Sequence, residues 1–158
     1  MKKIRGFEIA KGWEDKDIHL PVRKTKYSAG YDIEAAEDVV VPKFVPGIKP
    51  TLIPTGLKAY CMEDECFFLL NRSSGPKKGL VLANGIGLVD SDYYNNPDND
   101  GHFMFAYFNC SDYDITIKKG DCSGQLVFTK YLVVDQDQSN GIRMGGFGST
   151  DKKNEKKY

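Results

Sequence analysis

Three side chains with complementary chemistry fall inside one short run, Asn84-Gly85-Ile86-Gly87-Leu88-Val89-Asp90-Ser91-Asp92-Tyr93. Asp90 can take a proton from water if it is held within hydrogen-bond reach, ~2.6–3.2 Å. Tyr93 offers a flat face for a sugar or base, and Asn84 offers an amide donor and acceptor. Asp92 competes with Asp90 for the role of base, and either aspartate could instead cap a turn. Two further segments bring groups that bind phosphate. Arg72-Ser73-Ser74 supplies a planar cationic fork and hydroxyl donors. Gly145-Gly146-Phe147-Gly148-Ser149-Thr150 supplies converging backbone N–H groups, two hydroxyls and an aromatic ring. It lacks the lysine and following helix of a Walker loop. Together these residues point to an acid/base carboxylate working beside a polyphosphate.

The elements that must position them are strands. Asn-Gly tolerates the positive φ angles of tight turns, so Gly79 to Ala83 and Ile86 to Val89 read as two short strands flanking a turn. Val39-Val40-Val41, Glu65 to Leu70 and Gly101 to Phe108 are further strand-length apolar runs, and no long window repeats at helical spacing. With 16 Gly and 7 Pro between these runs, the expectation is an all-β sandwich or barrel. One helical turn is expected around Pro76 to Lys78.

At 158 residues the chain reads as one domain over 1–140. It is followed by a glycine-rich, polar tail over 141–158, expected to be mobile and to close over a ligand. The 22 basic and 22 acidic residues cancel, which argues against nucleic acid or an anionic membrane as partner. No segment approaches ~20 apolar residues, and the N-terminus lacks a signal-peptide pattern, so a cytoplasmic protein is expected. Cys61, Cys66, Cys110 and Cys122 form no C-x-x-C pair and read as free thiols.

Taken in order, Ala29-Gly30-Tyr31-Asp32-Ile33, Arg72-Ser73-Ser74, Gly87 to Tyr93, Gly120-Asp121 through Gln125-Leu126-Val127, and Gly145 to Thr150 resemble the five motifs of the trimeric dUTP pyrophosphatases. The resemblance implies a jelly-roll-like β-barrel and a homotrimer whose active sites are shared between subunits, each using a neighbour's C-terminal tail. It implies hydrolysis of dUTP to dUMP and pyrophosphate with Mg²⁺. On that basis Asp90 would activate water, and Tyr93 would pack under the deoxyribose. Asn84, with the backbone around Gly87 and Met104, would read uracil. Arg72, Ser73, Ser74, Gln125 and Arg143 would contact phosphates, and Phe147 would stack on the base beside Gly148 and Ser149. Mg²⁺ would be held by phosphates and water, with Asp32 in the surrounding network rather than as a direct ligand. The alternatives are a dCTP deaminase or bifunctional relative of the same fold, and a protein that binds a regulatory partner according to nucleotide state.

Three departures from the family pattern stand out. Cys122 replaces the usual arginine of the fourth motif. Arg143 lies one residue closer to Phe147 than is common. Tyr94 to His102 is an insertion, read from the sequence as an extended polar loop at the rim of the site.

Overall fold

The computed structural model describes residues 2–146 and is built almost entirely of short strands. In chain order these are β1 (Gly6–Ile9), β2 (Tyr31–Glu34), β3 (Val39–Val41), β4 (Thr51–Pro54), β5 (Leu57–Tyr60), β6 (Glu65–Leu70), β7 (Leu80–Leu82), β8 (Gly87–Asp90), β9 (Met104–Asn109), β10 (Ile115–Ile117) and β11 (Cys122–Lys130). The one α-helical turn, α1 (Ser74–Lys77), lies where Pro76 announces it, and a 3₁₀ turn over Ser91–Tyr93 follows β8.

The strands form four antiparallel sheets, of which two hold the core between them: β2-β11-β6-β8 and β4-β9-β7. β9 shows the cause most plainly. Phe105, Tyr107 and Asn109 alternate inward while Met104, Ala106 and Phe108 face partly outward, the period-two pattern of a half-buried strand. From the other sheet Ile33, Phe67 and Leu126 meet them, and Ile53 and Leu57 complete the same cluster. Phe67 meets Phe103, which leads into β9 of the other sheet, edge-on at 5.8 Å between ring centroids, and its own cross-strand partner Phe128 at 5.8 Å. The buried Glu65 carboxylate is matched by Arg5 at 2.7 Å and by the Met62 N–H at 3.1 Å.

Two expectations are corrected. The strands flanking Asn84-Gly85 are present, and Gly85 takes φ +70° in the turn, but they do not pair as a hairpin. β7 pairs with β9 and β8 with β6, so the turn carries the chain from one sheet to the other. The Tyr94–His102 insertion is compact rather than extended. Asn96, only 4% exposed, accepts from the Asp98 and Asn99 N–H groups and donates to the Tyr93 carbonyl. Short Asx side chains can replace backbone partners in this way, and Asn95 and Asp100 adopt the left-handed conformation that such residues tolerate. Lys58 of β5 then bonds both Asn95 and Asp100, fastening the loop to the barrel.

Trp13, the single tryptophan, packs against the insertion, its ring 5.2 Å from that of His102. All four cysteines are free thiols. Among the described residues no helix is long and apolar enough to cross a membrane.

Candidate active site

A cleft of about 350 Å³ opens where β8 leaves the barrel. Leu69 and Phe103 form its apolar floor, and Asn84, Gly87, Asp90, Tyr93 and Met104 line it. β8 is the last strand of its sheet, and among the described residues no strand covers its outer edge. Backbone donors and acceptors of β8 are therefore open on the cleft side, as at any sheet edge. Asp90 ends β8, in register with Cys66, and its side chain is half exposed. The chain turns directly afterwards into the Ser91–Tyr93 3₁₀ turn, which carries Tyr93 back against the core.

Tyr93 is 7% exposed, and burial pushes its phenol above the ordinary tyrosine value. Its hydroxyl donates to the His102 carbonyl at 3.0 Å and accepts from Asn99 Nδ2 at 2.7 Å. His102 is itself fixed, because its Nε2 accepts from the backbone N–H groups of Thr55 at 3.2 Å and Gly56 at 2.9 Å. Burial holds the imidazole neutral, with its pKa lowered to about 4.

The described part of the tail reaches this same cleft. Arg143 Nε donates to Asp92 at 2.6 Å, its Nη2 pairs with Asp90, and Nη1 bonds the Gly145 carbonyl at 3.3 Å. Gly146 lies flat on Tyr93, where a Cβ would come within 2.6 Å of the ring. Gly145 is similarly close to Asp98 of the insertion. Phe147, Gly148, Ser149 and Thr150 lie outside the described residues.

The remaining predicted residues gather elsewhere. Asp32 of β2 faces Gln125 of β11 in the ladder, and Arg72 Nε approaches Asp32 Oδ1 at 3.4 Å. Gln125 Nε2 donates to the Asn71 carbonyl at 3.1 Å. Ser73 precedes α1 and is exposed, its side chain making no cap bond, while Ser74 opens the helix. Among the described residues Asp32 Oδ2 is buried without a hydrogen-bond partner. A buried carboxylate oxygen in that state is ready to accept from water or a cation's hydration shell. Cys122 sits at a bulge at the start of β11, half-buried, its thiol pKa raised by burial.

The structure thus brings Asn84, Gly87, Asp90, Tyr93, Met104 and Arg143 into one cleft and Asp32, Arg72, Ser74 and Gln125 onto another face. Among the described residues no side-chain hydrogen bond or ion pair joins the two groups. Arg72 lies beyond the far end of β6 from Cys66, the partner of Asp90, which is roughly 20 Å of extended chain.

The chain is similar to known proteins along most of its length. The family model for dUTPase covers residues 16–151. The chain belongs to the dUTPase family. A deoxyuridine 5′-triphosphate nucleotidohydrolase of Lactococcus lactis is 51% identical over 151 residues, spanning 94% of this chain and 98% of that protein. The crystal structure of dUTPase from Streptococcus mutans has a TM-score of 0.76 at 40% identity, covering 82% of this chain and 98% of its own. A dUTPase of the Staphylococcus aureus phage phi11, in which a structural Mg(II) ion is coordinated, shares the fold at TM-score 0.67 and 19% identity, over 89% and 99% of the two chains.

Set against this dUTPase fold, sequence reasoning passed over Asn96, Asn99 and His102, which hold Tyr93 from behind. The signal available was Asn96-Pro97-Asp98-Asn99-Asp100-Gly101, a run of side chains that bond their own backbone.

Proposed function

We propose that this dUTP diphosphatase converts dUTP to dUMP and pyrophosphate with Asp90 as general base. The supporting observation is the position of Asp90, in a cleft with Leu69 and Phe103 at its floor, walled by the open edge of β8 and by Tyr93. Uracil enters that cleft as a short strand would. Its O4 and N3–H pair with backbone groups near Gly87 and with Asn84, whereas cytosine's amino group would face a donor. A buried polar group left unmatched costs ~1–3 kcal/mol, a substantial part of base selection. Tyr93 lies under the deoxyribose and closes the space a 2′-hydroxyl would need.

Asp90 takes a proton from a water, whose oxygen attacks the α-phosphorus. The bond from that phosphorus to the bridging oxygen breaks, and pyrophosphate leaves. In the free protein Arg143 pairs with Asp90 and occupies the carboxylate that a water would have to reach. Nucleotide phosphates offer the guanidinium a more highly charged, bidentate partner, so binding transfers Arg143 to phosphate and frees Asp90 for the proton. Mg²⁺ bound to the triphosphate offsets its charge and orients the leaving group. Asp32, with its unpartnered Oδ2, fits an outer position around that ion.

The separation of Arg72, Ser73, Ser74 and Gln125 from the Asp90 cleft supports a homotrimer in which each site is completed by a neighbour's phosphate-binding face. The test is incubation with Mg²⁺ and, separately, dUTP, dCTP, dTTP and UTP, with products resolved by ion exchange. The expected result is dUMP and pyrophosphate from dUTP alone. Turnover of dCTP would move the chain to the deaminase branch, and no turnover of any of the four would overturn the enzymatic reading.

A further inference from the structure

The insertion does more than fill space at the rim. Tyr93 Oη has one proton to give and can readily accept one hydrogen bond, and both are already committed. The proton goes to the His102 carbonyl, and the accepted bond comes from Asn99 Nδ2. Asn99 cannot easily turn away, because its Oδ1 accepts from Asn96 Nδ2 at 2.8 Å and from the Gly101 N–H at 3.1 Å. Gly101 takes φ +85° there and passes so close to the Tyr93 carbonyl that a side chain would have no room. The tip of the tyrosine is therefore clamped between two residues of the same loop.

We propose that Asn99 is a positioning residue for sugar discrimination, acting through the Tyr93 hydroxyl and resting on the reading of the cleft as the dUTP site. The clamp has two effects. It fixes the tilt of the ring, so the wall under the sugar does not yield to a larger ribose. It also saturates the hydroxyl, so an incoming 2′-hydroxyl finds no partner there. A hydroxyl buried without a partner costs ~1–3 kcal/mol, which adds to the crowding against the ring. Loss of the Asn99 donor leaves the Tyr93 oxygen free to accept from ribose and leaves the ring tip free to move.

The test compares kcat/KM for dUTP and UTP in the full-length protein, Asn99→Ala, Tyr93→Phe and the double variant, alongside melting temperatures. Asn99→Ala is expected to lower the dUTP-to-UTP preference about tenfold, as fits one displaced hydrogen bond, while kcat for dUTP changes much less. Because both substitutions remove the same bond, the double variant should lose no more preference than the larger single effect. A folded Asn99→Ala whose preference stays within about twofold of wild type overturns the proposal, as do losses that add in the double variant. If Asn99→Ala does not fold, Tyr93→Phe alone carries the test, since it removes the bonds to Asn99 and His102 that anchor the ring while leaving every loop side chain in place; an unchanged preference there overturns the proposal. Wild-type protein that leaves dUTP intact would instead overturn the reading of the site itself, and this inference with it.

Discussion

His102 supplies a sharp test of how the insertion is anchored. Its Nε2 is the acceptor for two backbone N–H groups, at Thr55 and Gly56, and Trp13 covers the ring. A proton on Nε2 abolishes both bonds and places a charge in a largely buried site. The unfolded chain has no such restriction and takes up the proton near 6.5, whereas the folded protein resists until about 4. Between those values the unfolded state binds more protons, so stability is complete above pH ~6.5 and falls as the pH drops. At ~1.4 kcal/mol per pH unit the whole interval corresponds to about 3 kcal/mol, and partial solvent access to the ring trims this to about 2–3 kcal/mol. The carboxylates held low by their partners, Glu8, Asp38, Asp64, Glu65 and Asp100, have ordinary values of 3.8 to 4.5, so their contribution is lost at lower pH. The interval from pH 6.5 to 5 isolates His102. Urea denaturation across that interval should show wild-type stability declining by about 1–1.5 kcal/mol, since the unfolded imidazole is already half protonated at pH 6.5. His102→Gln, which retains an acceptor but does not titrate, should show a nearly flat profile there. Parallel profiles for the two proteins would refute the assignment of a neutral, doubly accepting His102.

Asp90→Asn should fold normally and still bind dUTP, yet lose ~10²–10⁴-fold in kcat. Near-normal turnover, measured by pyrophosphate release, would remove Asp90 as the base. Truncation after Asn140 removes Arg143 but leaves every strand of the described residues intact, since β11 ends at Lys130. That protein should keep the wild-type melting temperature with poor hydrolysis, and full activity would refute a role for the tail. Gly124→Ala would drive a methyl group into the Phe105 ring between the two core sheets. A cost of about 2 kcal/mol in urea denaturation is expected, and no loss would mean that the bulge can relax.

Much of the architecture was legible in local pattern. Val39–Val41 and Glu65–Leu70 are β-rich runs bounded by turn residues and proline, and they form strands where the pattern places them. Pro76 announces α1 because its fixed φ suits the first turn of a helix. The pairing of β7 and β8 was not legible, because a turn signal specifies a change of direction and not the partner beyond it. Asn84-Gly85 suits a hairpin locally, but Leu82 and Gly87 are drawn to different sheets by Tyr107 and Leu69. At the site, Asp90, Tyr93 and Asn84 could be picked out because they are neighbours in sequence. Arg143 could be named but its partners could not, since its contacts with Asp90 and Asp92 span about fifty residues of chain. The insertion looked extended because polar composition alone does not reveal that Asn96 satisfies its backbone from within.

The crossing of the Asn84-Gly85 turn between sheets also bears on how this pocket could change over time. In a paired hairpin, adding one residue to the turn slips the register and sends each side chain to the wrong face. Here β7 and β8 share no ladder, so their registers are set independently by β9 and β6. A lengthened or shortened segment at residues 84–86 would reshape the wall of the Asp90 cleft and leave both core sheets in register. On the proposed reading of that cleft, base preference can drift by small insertions without passing through a sequence that fails to fold.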